Sequence, residues 1–380
     1  SGFGMFINFK YFDGENHLGK FNYGKYLAYE CEPGKHLFWV KAENFDFVEA
    51  ELEVGKIYII DAEPQMGAIK SGVKFVPFDN NPASYKDEKK YQKKKKLIYK
   101  NNSLQNRITI TMIYNIHHLH CGSFCPVCAP LFGQKGWKAH LVCHCLLIET
   151  DRGLVLIDTG LGTQDYLHTE QRLGSLLTQL GSIVPNLKLS AIEQIRKLGL
   201  RPEDVQHIFV THLDFDHAGG ISDFPNATVH VLASEFNATQ SLSAKGKLRY
   251  KTEQFKQHRH WNFAEHTDGE AWFNLQKVQG LPFFQDEILM VPLLGHTLGH
   301  SGIAIKKQDG WIFFCGDAYF SHLELDPKNK LRALDLTERL LAEDNQQRLH
   351  NLKRLQYLAQ HEPSIELICA HDPVEFNRYQ

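Results

Sequence analysis

Residues 211–220 read Thr-His-Leu-Asp-Phe-Asp-His-Ala-Gly-Gly, so four side chains able to hold a metal ion, His212, Asp214, Asp216 and His217, fall within six residues. Imidazole nitrogens and carboxylate oxygens are donors that zinc, iron and manganese accept. The neighbours Asp216 and His217 cannot readily point the same way, which suggests two ions side by side. Donors of the same kind recur along the chain at Asp158, His296, Asp317 and His371. One His or Asp taken alone is ordinarily a cap, a turn residue or a packed side chain. Repeated placement at the ends of hydrophobic segments is much harder to explain in that way.

Each donor follows a short apolar run that reads as a strand. These are 154–157 before Asp158, 207–210 before His212, 288–293 before His296, 311–315 before Asp317 and 365–369 before His371. Strands that stop on such residues can aim several side chains at one spot. Gly219 and Gly220, just behind the cluster, suit a tight turn. Asp158 either closes a turn or orients a ligand histidine from behind, as metal sites commonly require. Helical spacing appears at 173–180 and 191–200, and 331–360 reads as one long, charged, amphipathic helical region. Residues 237–287 read as irregular and rich in aromatics, among them Tyr250, Trp261 and Trp272, the character of a substrate-pocket cover.

A second group of donor types lies at 117–128, where His118, His120, Cys121, Cys125 and Cys128 gather around a Cys-x-x-Cys. That spacing is half of a structural zinc site, and no second Cys-x-x-Cys follows it. Cys143 and Cys145 flank His144 on the apolar run 141–148, where cysteine behaves as a small hydrophobe. Packing is therefore the preferred reading for these thiols.

The 380 residues are enough for two domains, and 43% hydrophobic with 23% charged residues is ordinary for a folded chain. A net charge of −2 gives no global pull toward nucleic acid or an anionic membrane. No apolar run approaches the roughly 18 residues of a membrane span. The 8 cysteines are far too sparse for a disulfide scaffold, so reduced thiols and a cytoplasmic location are expected.

Composition also divides the chain. Residues 1–100 hold 16 Lys and no Arg, whereas arginine is frequent afterwards. The expected organisation is a small β-sandwich-like domain at 1–78, a lysine-rich linker at 79–111 and a larger α/β domain at 112–380. Eight lysines lie within 86–100. A solvated tether is the ordinary reading of such a run, and a nucleic-acid contact the sharper one. In the first unit, Glu32-Pro33-Gly34-Lys35-His36 and Leu52-Glu53-Val54-Gly55-Lys56-Ile57-Tyr58 resemble small bacterial envelope β-sandwich domains of unknown function. That resemblance implies a binding or structural module and an envelope location.

From about residue 112 onward, the order of the His212–His217 cluster, Gly295-His296-Thr297-Leu298-Gly299-His300, Asp317 and His371-Asp372 resembles the metallo-β-lactamase superfamily. The resemblance implies an αββα sandwich with a dinuclear metal site at one edge of its two sheets. Carried over by position, His212, Asp214 and His296 would hold the first ion, and Asp216, His217 and His371 the second. Asp317 would bridge them and Asp158 would support from behind. The superfamily's usual cluster has His where this chain has Asp214, and an added carboxylate favours harder ions. Zinc is expected first, with iron or manganese close behind.

Two such ions would share a water and lower its pKa toward neutrality, giving a hydroxide that attacks an electrophilic carbonyl or phosphorus. Asp216 would pass the proton to the leaving group. Tyr319 would donate a hydrogen bond to the developing oxyanion, its ordinary alternative being a packed aromatic. Within the superfamily the chain resembles acyl-homoserine-lactone lactonases, where the Tyr stands one residue further from the Asp. That likeness implies opening of a lactone or carboxylic ester as a small-molecule substrate. Hydrolysis of a phosphodiester or nucleic acid on the same ions is the alternative, with the lysine run as its support.

Overall fold

The computed structural model describes six strands between residues 8 and 78, and residues 113–380 apart from 266–269, 279–283, 285–286 and 308. The chain divides into two compact units, Ser1–Thr109 and Ile110–Gln380. In the first, β1 (Asn8–Asp13), β2 (Asn16–Asn22), β3 (Gly34–Lys41) and β4 (Phe45–Leu52) pair antiparallel in the order β2-β1-β3-β4. β5 (Ile59–Met66) pairs antiparallel with β6 (Ser71–Phe78). Phe38 and Val40, two residues apart on β3 and so on one face, are both buried. Of the strand expected at 56–60, residues 56–58 lie outside the described residues. So do Cys31, Glu32, Pro33 and the whole lysine-rich segment 79–111.

The second unit is built on two sheets. The larger contains β7 (Ile113–Phe124), β8 (Leu141–Thr150), β9 (Gly153–Ile157), β10 (Val205–Phe209), β11 (Thr228–Leu232) and β12 (Trp261–Ala264), in the order β12-β11-β10-β9-β8-β7. β8 pairs antiparallel with β7 on one side and β9 on the other, and β9 to β12 are parallel. β13 (Glu270–Trp272) and β14 (Leu275–Lys277) form a short hairpin. The smaller sheet orders β15 (Ile288–Pro292), β16 (Ser301–Lys307), β17 (Gly310–Phe314) and β18 (Ile365–Ile368), with only β17 and β18 parallel.

Side-chain alternation along these strands produces the layers. On β8, Leu146 and Ile148 face the gap between the sheets, where they meet Met290, Ile303, Ile305 and Phe314 of the smaller sheet. Their neighbours Cys143, Cys145 and Leu147 face the other way, into a core shared with Leu161, Tyr166, Ala191 and Ile195. On the smaller sheet, Leu289, Val291, Phe313 and Leu367 turn outward against Leu355 and Leu358 of the helix Asn345–His361. The layers are thus helix, sheet, sheet, helix, the αββα sandwich. A strand covered on both faces reads as a continuous apolar run rather than an alternating one, as 141–148 and 154–157 do.

Several local expectations are corrected. Residues 237–287 are not simply irregular, because they include the helix Ala244–Arg249, the edge strand β12 and the β13–β14 hairpin. The region 331–360 is two helices, Arg332–Leu341 and Asn345–His361. Asp344 caps the second by accepting from the backbone N–H of Gln346 and Gln347 at 2.9 and 3.0 Å. Gly219 serves close packing rather than a turn. Its φ of −58° is helical, while a Cβ there would lie 2.4 Å from Asp165 Oδ2 and 2.6 Å from Gly160 O.

Candidate metal centre

β9, β10, β15, β17 and β18 release their chains at one edge of the two sheets. The segments that follow carry Asp158, the cluster 212–217, His296, Asp317 and His371. Seven of these side chains form two groups, each with donor atoms within 4.8 Å of one another: His212, Asp214, His296 and Asp317, and Asp216, His217 and His371. In the first group, His296 Nε2 lies 3.2 Å from Asp214 Oδ2 and 3.4 Å from Asp317 Oδ2. His212 Nε2 lies 3.3 Å from Asp214 Oδ2. In the second, His371 Nε2 lies 3.5 Å from Asp216 Oδ2. Both His217 Nε2 and His371 Nε2 approach Asp317 Oδ1 at 3.2 Å. Asp317 therefore turns one carboxylate oxygen to each group.

The far side of each imidazole decides which nitrogen faces the cluster. His217 Nδ1 donates to Asp158 Oδ2 at 2.7 Å. His212 Nδ1 donates to Thr211 Oγ1 at 2.9 Å, and that hydroxyl donates in turn to Asp158 Oδ2 at 2.8 Å. Asp158 Oδ1 accepts the Thr211 backbone N–H at 2.7 Å. His371 Nδ1 donates to the Val142 carbonyl at 2.8 Å. All three histidines thus turn Nε2 inward, the atom that a cation would take in place of a proton. Asp158 does this from a left-handed backbone, φ 54°, an unfavourable conformation for a residue with a Cβ that its three hydrogen bonds hold in place.

The donor set fits a divalent cation. His212 Nε2, His217 Nε2 and Asp317 Oδ1 are buried and have no hydrogen-bond partner among the described residues. Buried donors left facing one another this way are costly unless a cation joins them. Burial works against the Asp317 charge, yet His371, His217 and His296 hold its carboxyl well below the usual range. Burial lowers His371, but Asp317 and Asp216 outweigh it and push that imidazole up to about 9. Burial raises the Asp216 carboxyl, and the Asp317 and Asp214 charges add to that rise against the pull of His217 and His371.

Other supports had no signal in the residue pattern. Glu235 Oε1 accepts from Leu213 N–H at 2.9 Å and its Oε2 from Gly299 N–H at 3.0 Å, which ties the His212–Asp214 loop to the His296 loop. His300 bridges from the Leu293 carbonyl, 3.0 Å, to the Asp317 N–H, 2.9 Å, so it positions Asp317 rather than joining a donor group. Arg249, 7% exposed, sets its Nε 3.1 Å from Asp214 Oδ1. Its Nη1 donates to the His296 carbonyl at 2.7 Å.

Tyr319 is not brought to the cluster, and its expected oxyanion role is corrected. It is fully buried among Leu355, Leu358 and Cys369, with its hydroxyl 3.1 Å from Glu375 Oε1. The next residue, Phe320, faces the donors, its ring centroid 5.9 Å from that of His296 and 5.4 Å from that of His371. The cysteines also resolve. Cys121, Cys143 and Cys145 belong to the hydrophobic core, and Cys125 and Cys128 join no group of three donors among the described residues.

Comparison with known proteins agrees with this geometry. The model of the metallo-β-lactamase superfamily matches residues 140–359. A probable metallo-hydrolase of Mycobacterium tuberculosis is 37% identical over 267 residues, 68% of this chain and 80% of that protein. The N-acyl homoserine lactonase AiiA of Bacillus thuringiensis subsp. kurstaki is 26% identical over 189 residues, 49% of this chain and 67% of that one. A solved N-acyl homoserine lactone hydrolase, with N-hexanoyl-L-homoserine bound at its catalytic metal centre, superposes with a TM-score of 0.55. That match covers 71% of this chain and 97% of the other at 20% identity, a likeness of fold.

Proposed function

The chain belongs to the metallo-β-lactamase superfamily and is a metal-dependent hydrolase, and from that premise we propose that it opens a lactone or another carboxylic ester at a pair of divalent ions. His212, Asp214 and His296 would hold the first ion, and Asp216, His217 and His371 the second. The observation that carries this reading is the split of the Asp317 carboxylate, with Oδ2 toward one donor group and Oδ1 toward the other. Zinc is the proposed occupant, with iron or manganese favoured to the extent that Asp214 supplies oxygen in place of nitrogen. When bound, such ions polarise the substrate carbonyl and make a shared water acidic near neutral pH.

The chain's own part is positioning and proton handling. Asp158, through His217 and Thr211, keeps imidazole lone pairs aimed inward. The oxygen of a water adds to the carbonyl carbon, the carbon–oxygen single bond of the ester breaks, and the alkoxide that leaves takes a proton. Asp216, raised by burial, would receive the proton from the water and deliver it to that alkoxide. Phe320 forms an apolar wall against His296 and His371, while the Tyr319 hydroxyl is turned away from it to Glu375. Lactones as substrates are inferred from the similarity to N-acyl homoserine lactonases, and esters from the shared chemistry.

Elemental analysis of the purified protein, followed by lactone and ester panels before and after chelation, tests the reading. Two equivalents of divalent metal and chelator-sensitive turnover are expected, with at least a ~100-fold loss in His212→Ala and Asp317→Ala. Full turnover in metal-free protein would refute it. Among the described residues no helix is long and apolar enough to cross a membrane.

A further inference from the structure

The two donor groups are chemically matched. Each has one aspartate of its own, two histidines and one oxygen of Asp317. On donor type and formal charge alone they would bind the same ion equally well. Their surroundings differ, since Asp158 bonds His217 of the second group directly, and the first group alone has a buried cation, Arg249, against its aspartate. Resting on the two-ion reading above, we infer that Arg249 makes the positions unequal, its fixed charge offsetting Asp214 so that the first position holds its ion less tightly than the second.

Arg249 ends the helix Ala244–Arg249, and its guanidinium is aimed at the donor face. Nε lies 3.1 Å from Asp214 Oδ1, and Nη2 lies 3.1 Å from His296 Nε2, so it touches two of the first group's donor side chains. Nη1 donates to the His296 carbonyl at 2.7 Å and Nη2 to the Leu341 carbonyl at 3.1 Å. Glu343 Oε1 is 3.9 Å from Nη1. These contacts engage all three nitrogens with the protein, which marks Arg249 as a positioning residue and not a substrate-binding one. Its charge is permanent at any working pH. Among the described residues no lysine or arginine forms an ion pair with Asp216 or Asp317, and the second group has no counterpart of Arg249. A positive charge this close to a second cation weakens the latter's binding by roughly ten- to a hundredfold, even with substantial dielectric screening.

The test is a metal titration and needs no activity. Metal-free full-length protein is titrated with cobalt, read by its visible absorption, and with zinc against a competing indicator. Two steps separated by at least about tenfold are expected. The tight step should vanish in His371→Ala and the weak one in His296→Ala. In Arg249→Gln the weak step should tighten until the two merge, and Arg249→Lys, which keeps the charge, should restore the separation. Thermal unfolding of each variant reports whether it folds. If Arg249→Gln does not fold, the His296→Ala and His371→Ala assignments still decide. A tight step that depends on His296 overturns the proposal, as does an unchanged separation in folded Arg249→Gln or an Arg249→Lys that behaves like the glutamine variant. Each of those outcomes leaves two ions bound and the dinuclear reading intact. Binding of one ion or none sinks that reading, and this proposal with it.

Discussion

Replacing Asp158 with asparagine should remove one ion without disturbing the fold. The two side chains have nearly the same shape, and asparagine tolerates the φ of 54° better than most residues. The carboxylate receives three hydrogen bonds, from Thr211 N–H at 2.7 Å, Thr211 Oγ1 at 2.8 Å and His217 Nδ1 at 2.7 Å. The amide retains one oxygen, which the Thr211 N–H claims. An NH2 group then faces Thr211 Oγ1 and His217 Nδ1. To avoid donor against donor, His217 must move its proton to Nε2, the atom that should face an ion. A hydrogen bond to a charged acceptor is worth roughly 1.5–3 kcal/mol, and losing the tautomer it enforces should weaken the second ion by about 10–100-fold. Elemental analysis after dialysis against a weak chelator should find near one equivalent in place of two, with lactone turnover falling at least in proportion. Asp158→Ala should do the same and also lose stability, because alanine is poorly suited to a left-handed backbone. Two tightly held equivalents in folded Asp158→Asn would show that this relay does not orient His217 for metal.

Other perturbations separate the remaining roles. Phe320→Tyr should set a hydroxyl beside the donors and raise kcat on a lactone by roughly tenfold, whereas Tyr319→Phe should leave kcat within about twofold while lowering stability by about 1–2 kcal/mol in urea unfolding. Asp214→His should raise the share of zinc over iron and manganese in protein purified from mixed-metal medium, and unchanged metal content would mean that Asp214 is not a donor. Burial pushes Glu375 from 4.5 up to about 7. The folded chain therefore keeps a proton that the unfolded chain has released, and chelated protein should lose ~3 kcal/mol of stability between pH 4.5 and 8 from this group. Glu375→Gln should flatten that fall, as urea titrations at pH 5 and 8 would detect.

The donors were legible in the sequence because each follows a hydrophobic strand, and strands covered on both faces leave an unmistakable apolar run. Side-chain direction was harder to read. Tyr319 and Phe320 are adjacent, so a one-residue offset decides which ring meets the histidines and which enters the core, and composition carries no record of it. Arg249 and Glu235 were invisible for another reason. They reach the centre from the helices Ala244–Arg249 and Ala233–Ala238, and a single charged residue on a short helix looks like any solvated one. β12 escaped notice because four residues at a sheet edge, only one of them buried, do not establish a period. The break at 342–344 was hidden because both flanking helices are rich in charged and polar residues.

Neither donor group is contributed by a single sheet. His212, Asp214, Asp216 and His217 follow β10 of the larger sheet, whereas His296, Asp317 and His371 follow β15, β17 and β18 of the smaller one. An ion at either position is therefore a cross-link between the two halves of the sandwich, and it can form only after they have docked. The stretch from His212 to His371 must be threaded through both sheets before the second position exists, so an ion there would be captured late in folding. Metal that binds the docked state and not the separated halves draws the equilibrium toward assembly by mass action. Chelation would loosen the seam between the sheets before it loosened either sheet, and amide exchange should reveal that order in β10 and β17 relative to β8.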